Sequence, residues 1–169
     1  NRLRGWPWQP GTFSWTEPTS WCLLAFKRAR GRLSDAERAR IGEAEAVLVD
    51  RSCRPGGWNV GNSNVLGQNL PPQVPTTAIA VLALQDRATL PPVRAALAWL
   101  QQAWPREPSG FGLSLAALAL VAMRQPAGQL APAFVLAEER SGYLGNQCVM
   151  AMAAVALEAI DGAPSVFTL

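Results

Sequence analysis

Leu115-Ala116-Ala117-Leu118-Ala119-Leu120-Val121-Ala122-Met123, LAALALVAM, is apolar at every position. A helix with this sequence has no polar face to present to water, so it must be covered on all sides. Crossing a bilayer takes about 20 apolar residues, and this run, like residues 148–157 further on, is much shorter. The stretch therefore predicts a buried helix in a protein without a transmembrane segment.

Four apolar segments of this kind alternate with three amphipathic ones along the chain. The first amphipathic segment opens with a capping box at Ser34 and Glu37 and runs to about Asp50. Such alternation is typical of helical hairpins stacked in two layers, with apolar helices inside and amphipathic helices outside. We predict an all-α fold, an incomplete α/α toroid, in a single domain over residues 1–169. The apolar segments are residues 21–26, 78–84, 115–123 and 148–157, and the other amphipathic ones are residues 93–104 and 130–140.

The charge content is low for a soluble domain. Charged residues make up 16% of the chain and the net charge is +3, against about 25% charged residues in ordinary domains. We therefore expect part of the surface to be covered, by a partner or by missing chain. Basic side chains cluster between Lys27 and Arg40, but acidic residues in the same segment offset them. This mixture predicts a solvated helix and argues against a nucleic-acid partner.

The three cysteines, Cys22, Cys53 and Cys148, are too few and too scattered for a disulfide framework. We expect a reducing, cytoplasmic location, with Cys22 and Cys148 as small core residues. Arginines next to Cys53 in the turn at residues 51–54 are able to lower its thiol pKa, although a structural role is the favoured interpretation. The chain begins with Asn1 instead of Met, which predicts a fragment of a longer protein.

Turns that combine glycine with an aromatic residue precede each apolar segment. Two of these segments begin with matching motifs, Pro18-Thr19-Ser20 and Pro75-Thr76-Thr77, whose hydroxyls we expect to cap the first helical turn. No strand pattern of useful length lies between the segments. The turns are residues 11–15 (GTFSW), 56–59 (GGWN), 110–112 (GFG) and 141–145 (SGYLG).

These turns and helix starts resemble the prenyltransferase and squalene-oxidase repeat, the unit of the α/α toroids of terpenoid cyclases and protein prenyltransferases. The resemblance rests on residues 52–59 (SCRPGGWN), on residues 75–85, and on residues 99–101 ahead of 109–112. It covers the chain from about Gly5 to Asp161. For catalytic members of that superfamily, the resemblance implies chemistry on isoprenoid substrates.

The catalytic motifs that the resemblance implies are missing from this chain. Squalene cyclases protonate their substrate with an Asp-x-Asp-Asp motif, and the four aspartates here, Asp35, Asp50, Asp86 and Asp161, are isolated. Protein prenyltransferases hold zinc with Asp, Cys and His, and this chain has no histidine. We therefore predict no metal site and no cofactor.

Two functions remain open from the sequence. The first is a binding or interaction module on a squalene-cyclase-like and prenyltransferase-like scaffold without recognisable catalytic motifs. The alternative is an isoprenoid-handling, terpene cyclase-like enzyme, or a fragment of one, whose catalytic residues lie partly outside this chain. Predicted partners are an apolar isoprenoid ligand and, through uncovered helix flanks, a second copy or the missing upstream part.

Glu17 is the weak candidate for a catalytic residue. It precedes Pro18 near the start of an inner helix and has Trp15 and Trp21 on either side. In an apolar cavity such a carboxylate acquires a raised pKa and is able to donate a proton. The competing interpretation is an acid that favours the positive end of the helix dipole.

Trp15, Trp21, Trp58, Asn59 and Asn62, together with Glu17, are the candidate ligand-binding residues. The tryptophans either stabilise a cation through their ring faces or fill space between hairpins. The asparagines, in a glycine-rich loop, either bind a polar ligand group or form a turn.

Overall fold

The computed structural model describes residues 3–29, 31, 33–142 and 146–169. Helix accounts for 62% of the structure, which confirms the predicted all-α class. Short 3₁₀ turns lie at Gln85–Arg87, Trp104–Arg106 and Gly128–Leu130. The α-helices of the described part are α1 (Thr16–Arg28), α2 (Asp35–Asp50), α3 (Val74–Ala83), α4 (Pro91–Ala103), α5 (Gly110–Ala122), α6 (Ala131–Ser141) and α7 (Gln147–Ile160).

The helices α1, α3, α5 and α7 contact one another in series, and α2, α4 and α6 pack against α1, α3 and α5 respectively. The central members α3 and α5 are buried along nearly their whole length, because each has a neighbour on both sides. The stretch at residues 115–123 lies almost entirely in α5. The core is therefore centred on these two helices.

The end helix α7 departs from the sequence expectation. Its buried residues are Ala153, Ala156 and Ala159, whereas Cys148, Met150 and Leu157 are exposed. The prediction that this segment is buried all round is wrong, and so is the assignment of Cys148 to the core. The physical reason is that α7 packs closely on α5, whereas α6 contacts it sparsely and leaves a groove beside Met150 and Leu157.

The capping box of α2 is confirmed. The Ser34 hydroxyl accepts a hydrogen bond from Glu37 N at 3.3 Å, and Glu37 Oε2 accepts one from Ser34 N at 2.7 Å. The helix ends at Asp50, as predicted, and buries Ala44, Val47 and Leu48.

The two threonine motifs do not cap their helices. The helices begin earlier, at Thr16 and Val74, and their N-cap residues make no side-chain capping bond. Instead, Thr19 Oγ1 accepts a hydrogen bond from Trp6 N at 2.8 Å, and Thr77 Oγ1 accepts one from Trp58 N at 2.9 Å. Both helices thus use a threonine to bind the backbone of an earlier tryptophan.

A glycine precedes each of these tryptophans, and each glycine is needed for the close approach. A Cβ on Gly5 would collide with Thr19 Oγ1, and one on Gly57 with Thr77 Oγ1. The structural repeat is therefore Gly5-Trp6 and Gly57-Trp58, and residues 11–15 are not the counterpart of residues 56–59. The fourth predicted turn includes Tyr143, Leu144 and Gly145, which lie outside the described residues.

Lys27 is buried rather than solvated. Its Nζ donates to Ala83 O at 2.8 Å and lies 2.7 Å from Glu45 Oε1 and 2.6 Å from Asp86 Oδ1. Arg87 bonds both oxygens of Glu45 at 3.1 Å. This charged cluster joins α1, α2 and the turn after α3, and all three partners of the ammonium come from elsewhere in the chain.

The C-terminal segment returns to the start of the helix row. Gln85 donates from Nε2 to Phe167 O at 2.7 Å and accepts at Oε1 from Leu169 N at 3.0 Å. The Phe167 ring lies 6.1 Å from the ring of Trp21. The segment therefore covers part of α1 and the end of α3.

Candidate functional site

A pocket of about 250 Å³ lies beside the first turn of α1. It is formed by the chain before α1, the end of α2 and the loop that follows Trp58. We name it the Trp15 pocket. Its lining residues are Phe13, Trp15, Arg51, Asn59, Val60, Gly61, Asn62, Val65 and Leu70.

The aromatic wall of the pocket is fixed by the backbone around it. Trp15 N donates to Trp6 O at 3.1 Å, and Gly5 N donates to the Ser14 hydroxyl at 2.9 Å. The rings of Phe13 and Trp15 lie 4.6 Å apart. The segment that carries both rings is thus held against Gly5 and Trp6. Thr19 in turn bonds the backbone of Trp6.

The opposite wall is a loop that Asn59 shapes. Its Oδ1 accepts from Gly61 N at 2.9 Å and its Nδ2 donates to Asn62 O at 3.2 Å. The side chain is buried, so its amide is committed to the loop. Thr16 N donates to Val60 O at 3.0 Å and joins the loop to the start of α1.

A short hairpin extends this loop. Strand β1 (Asn64–Val65) pairs antiparallel with β2 (Gln68–Asn69), although the sequence shows no strand pattern there. The two turn residues between them, Leu66 and Gly67, both have positive φ angles, 49° and 78°, as the tightest hairpin turns require. The hairpin therefore comes from turn geometry and not from alternating hydrophobicity.

The rim of the pocket is apolar and open to water. Phe13 is 65% exposed. Val60, Val65 and Leu70 are exposed as well. Contiguous apolar groups that a protein leaves exposed mark a site where something else covers them.

Arg51 carries the one charge among the lining residues. Its Nη1 donates to Ser14 O, and its Nε is buried without a hydrogen-bond partner among the described residues. Burial lowers the pKa of Arg51, and the neighbouring Asp50 carboxylate acts in the opposite direction. Because a guanidinium stays protonated at neutral pH, the pocket contains a cation that the described residues compensate only in part.

The structure brings three of the predicted ligand-binding residues to this pocket, Trp15, Asn59 and Asn62. Trp58 lies in the core, where its Nε1 donates to Leu48 O at 2.6 Å, so its packing interpretation fits. Trp21 and Glu17 lie outside the pocket lining. Glu17 is half-buried in the first turn of α1, and Trp21 contacts the C-terminal segment.

Sequence reasoning missed Arg51 as a site residue. In the sequence, Arg51 is notable only as a neighbour of Cys53. The available signal was its position, directly after a predicted helix and directly before a glycine-rich loop. Phe13 belongs to the predicted turn at residues 11–15, and the sequence does not show that its ring lines a pocket.

Other candidate chemistry is weaker. Burial raises the pKa of the Cys53 and Cys22 thiols, opposed only in part by an Asn59 backbone hydrogen bond and by Arg40 respectively, so the suggestion that arginines activate Cys53 is wrong. Among the described residues no three acidic, cysteine or histidine side chains lie close enough to hold a metal ion.

No helix built from these residues combines the length and the apolar character needed to cross a membrane.

A second pocket, of about 580 Å³, lies between the start of α3 and the end of α4 and includes Trp99, Arg106 and Glu107. The Glu107 carboxylate already accepts hydrogen bonds from the backbone and hydroxyl of Ser109. This pocket is more open and more polar than the Trp15 pocket. The Trp15 pocket is therefore the better candidate for an apolar ligand.

Comparisons with protein-family models, with curated proteins and with solved structures found no match for this chain.

Proposed function

We propose that this chain is a non-catalytic ligand-binding module whose site is the Trp15 pocket. The observation that carries the proposal is the combination of an aromatic wall with an apolar rim that is exposed to water. Covering apolar surface stabilises a complex by about 25 cal/mol per Å². Phe13, Trp15 and Val65 offer such surface to a ligand without any rearrangement of the core.

The scaffold that we propose is an arc of an α/α toroid, as the resemblance implies. Support comes from the serial packing of α1, α3, α5 and α7 and from the position of α2, α4 and α6 against successive members of that row. In such an arc the first turns of the inner helices lie at one end. The Trp15 pocket is beside one of those turns.

The ligand class that the resemblance implies is an isoprenoid, and the pocket supports a short one. At about 30 Å³ for each non-hydrogen atom, the share of a water molecule in the liquid, the pocket holds roughly eight atoms. A longer chain extends over Val65 and Leu70 on the rim. Geraniol, a ten-carbon isoprenoid alcohol, is therefore a suitable neutral probe.

Isothermal titration with geraniol tests the proposal. We expect saturable binding, and we expect Trp15→Ala to raise Kd about tenfold or more, which corresponds to about 1.4 kcal/mol or more. The matched control is Trp99→Ala, because Trp99 is also half-buried but lines the other pocket. Circular dichroism checks that both variants keep their helix content.

If geraniol does not bind, the proposal that the ligand is an isoprenoid fails. Equal weakening by the two tryptophan variants would remove the Trp15 pocket as its site.

A further inference from the structure

Arg51 differs from the other residues that line the Trp15 pocket because it brings a full positive charge to an apolar cavity. A cation that loses part of its hydration is costly unless an anion or hydrogen-bond acceptors replace the water. The described residues supply one acceptor, Ser14 O, to Nη1. The charge of the neighbouring Asp50 carboxylate also acts on the guanidinium.

The nitrogens of the Arg51 guanidinium differ in their surroundings. Nε is shielded from solvent, and Nη1 is engaged with Ser14 O. Nη2 makes no hydrogen bond to a described residue and is not among the shielded atoms. Because Arg51 lines the pocket, Nη2 is the nitrogen that remains for an oxygen of a ligand there.

The charge of the lining residues limits the ligand to a single negative charge. Besides Arg51, the pocket offers neutral amides and apolar groups, and the Asn59 amide is already engaged in its loop. A diphosphate carries several charges and requires several cations. A carboxylate matches one guanidinium in charge, and one of its oxygens is able to accept a charge-assisted hydrogen bond from Nη2.

We infer that the Trp15 pocket binds a monocarboxylate of medium chain length, with Arg51 at the carboxylate and Phe13 and Trp15 against the hydrocarbon chain. This inference rests on the proposed function, since it names the head group of the ligand that the module takes. The pocket volume of about 250 Å³ corresponds to roughly eight non-hydrogen atoms. Octanoate has ten non-hydrogen atoms, so it fills a pocket of this size and the end of its chain reaches the rim.

Calorimetric titrations of the same protein with octanoate, octanol and octyl phosphate test the inference. The three probes share one chain and differ in head group. We expect octanoate to bind about tenfold or more tightly than octanol, because hydrogen bonds to charged groups are the stronger ones. We expect octyl phosphate to bind no better than octanoate.

Variants of Arg51 test whether this side chain binds the carboxylate of the ligand. Arg51→Gln is expected to remove the preference for octanoate over octanol within the same variant, and Arg51→Lys, which keeps the charge, is expected to retain part of it. Arg54→Gln is the matched control, because Arg54 is an exposed arginine in the adjoining turn. It should change neither titration.

The outcomes separate the two proposals. If neither octanol nor octanoate binds, the proposed function fails and this inference fails with it. If both bind equally, the pocket is a ligand site and the carboxylate assignment is overturned. Tighter binding of octyl phosphate would overturn the choice of a monoanion, and an octanoate preference that survives in Arg51→Gln would overturn the role of Arg51.

Discussion

The Lys27 ammonium shows how one residue joins distant parts of this chain. Its side chain is 2% exposed, and its ion pairs with Glu45 and Asp86 connect α1, α2 and the turn after α3. From the sequence alone, Lys27 belongs to a basic segment with the character of a solvated helix. Local composition does not reveal that the carboxylates of remote residues converge on its Nζ.

Replacing Lys27 by methionine is expected to lower the free energy of unfolding by about 3 kcal/mol, because it leaves two carboxylates together without their shared cation. Urea unfolding followed by circular dichroism measures the change. Arg38→Met is the control, since Arg38 pairs with Asp35 at 3.4 Å on the surface, where ion pairs contribute little. If both variants are equally stable, the buried cluster does not hold these elements together.

At the scale of the element, α2 is the helix that the sequence describes most fully. Its capping box, its charged face and its end at Asp50 follow from residues within a few positions of one another. Hydrogen bonds from the Ser34 hydroxyl and backbone hold the pKa of Glu37 below its ordinary value, with a smaller contribution from Arg38. The folded state therefore favours the ionised carboxylate.

Because the folded pKa of Glu37 is lowered, its contribution to stability is present at neutral pH and is lost as the pH falls through that lowered value. Ser34→Ala, which removes the hydroxyl and leaves the backbone N–H bonded to Glu37, is expected to cost about 1 kcal/mol at neutral pH. The cost should shrink in acid, below the ordinary glutamate pKa of about 4.3. Urea unfolding at a series of pH values measures it.

The control for this series is Ser52→Ala at the other end of the helix. The Ser52 hydroxyl donates to Val49 O at 3.0 Å and bonds no carboxylate, so its effect should not follow the ionisation of Glu37. A cost of Ser34→Ala that stays constant into acid would show that the carboxylate adds nothing to the cap.

At the scale of the whole molecule, the central and end helices of the row α1, α3, α5 and α7 differ in how fully they are covered. The central helices are covered on both flanks, while α7 leaves Met150 and Leu157 exposed beside a groove of about 480 Å³ against α6. Alanines on the open side, Ala151 and Ala154, repeat the small residues by which α7 packs on the row. A second copy of α7 is able to approach this face equally closely.

We therefore expect concentration-dependent self-association, measured by sedimentation velocity, through the open face of α7. Leu157→Glu should weaken it by placing a charge in the apolar contact. Val166→Glu, at an exposed apolar residue of the C-terminal segment, is the control and should leave it unchanged. A chain that stays monomeric at all concentrations would contradict this expectation.

The sequence by itself determined the helical class, the order of apolar and amphipathic segments and the capping of α2, because these depend on periodicities within a few residues. It also brought Trp15, Asn59 and Asn62 forward as site residues. Only the tertiary structure decided that they share a pocket with Arg51, that Trp58 is core, and that Thr19 and Thr77 bind tryptophan backbone instead of capping helices. Each of these depends on contacts between residues far apart in the chain, where packing and not local propensity selects the partner.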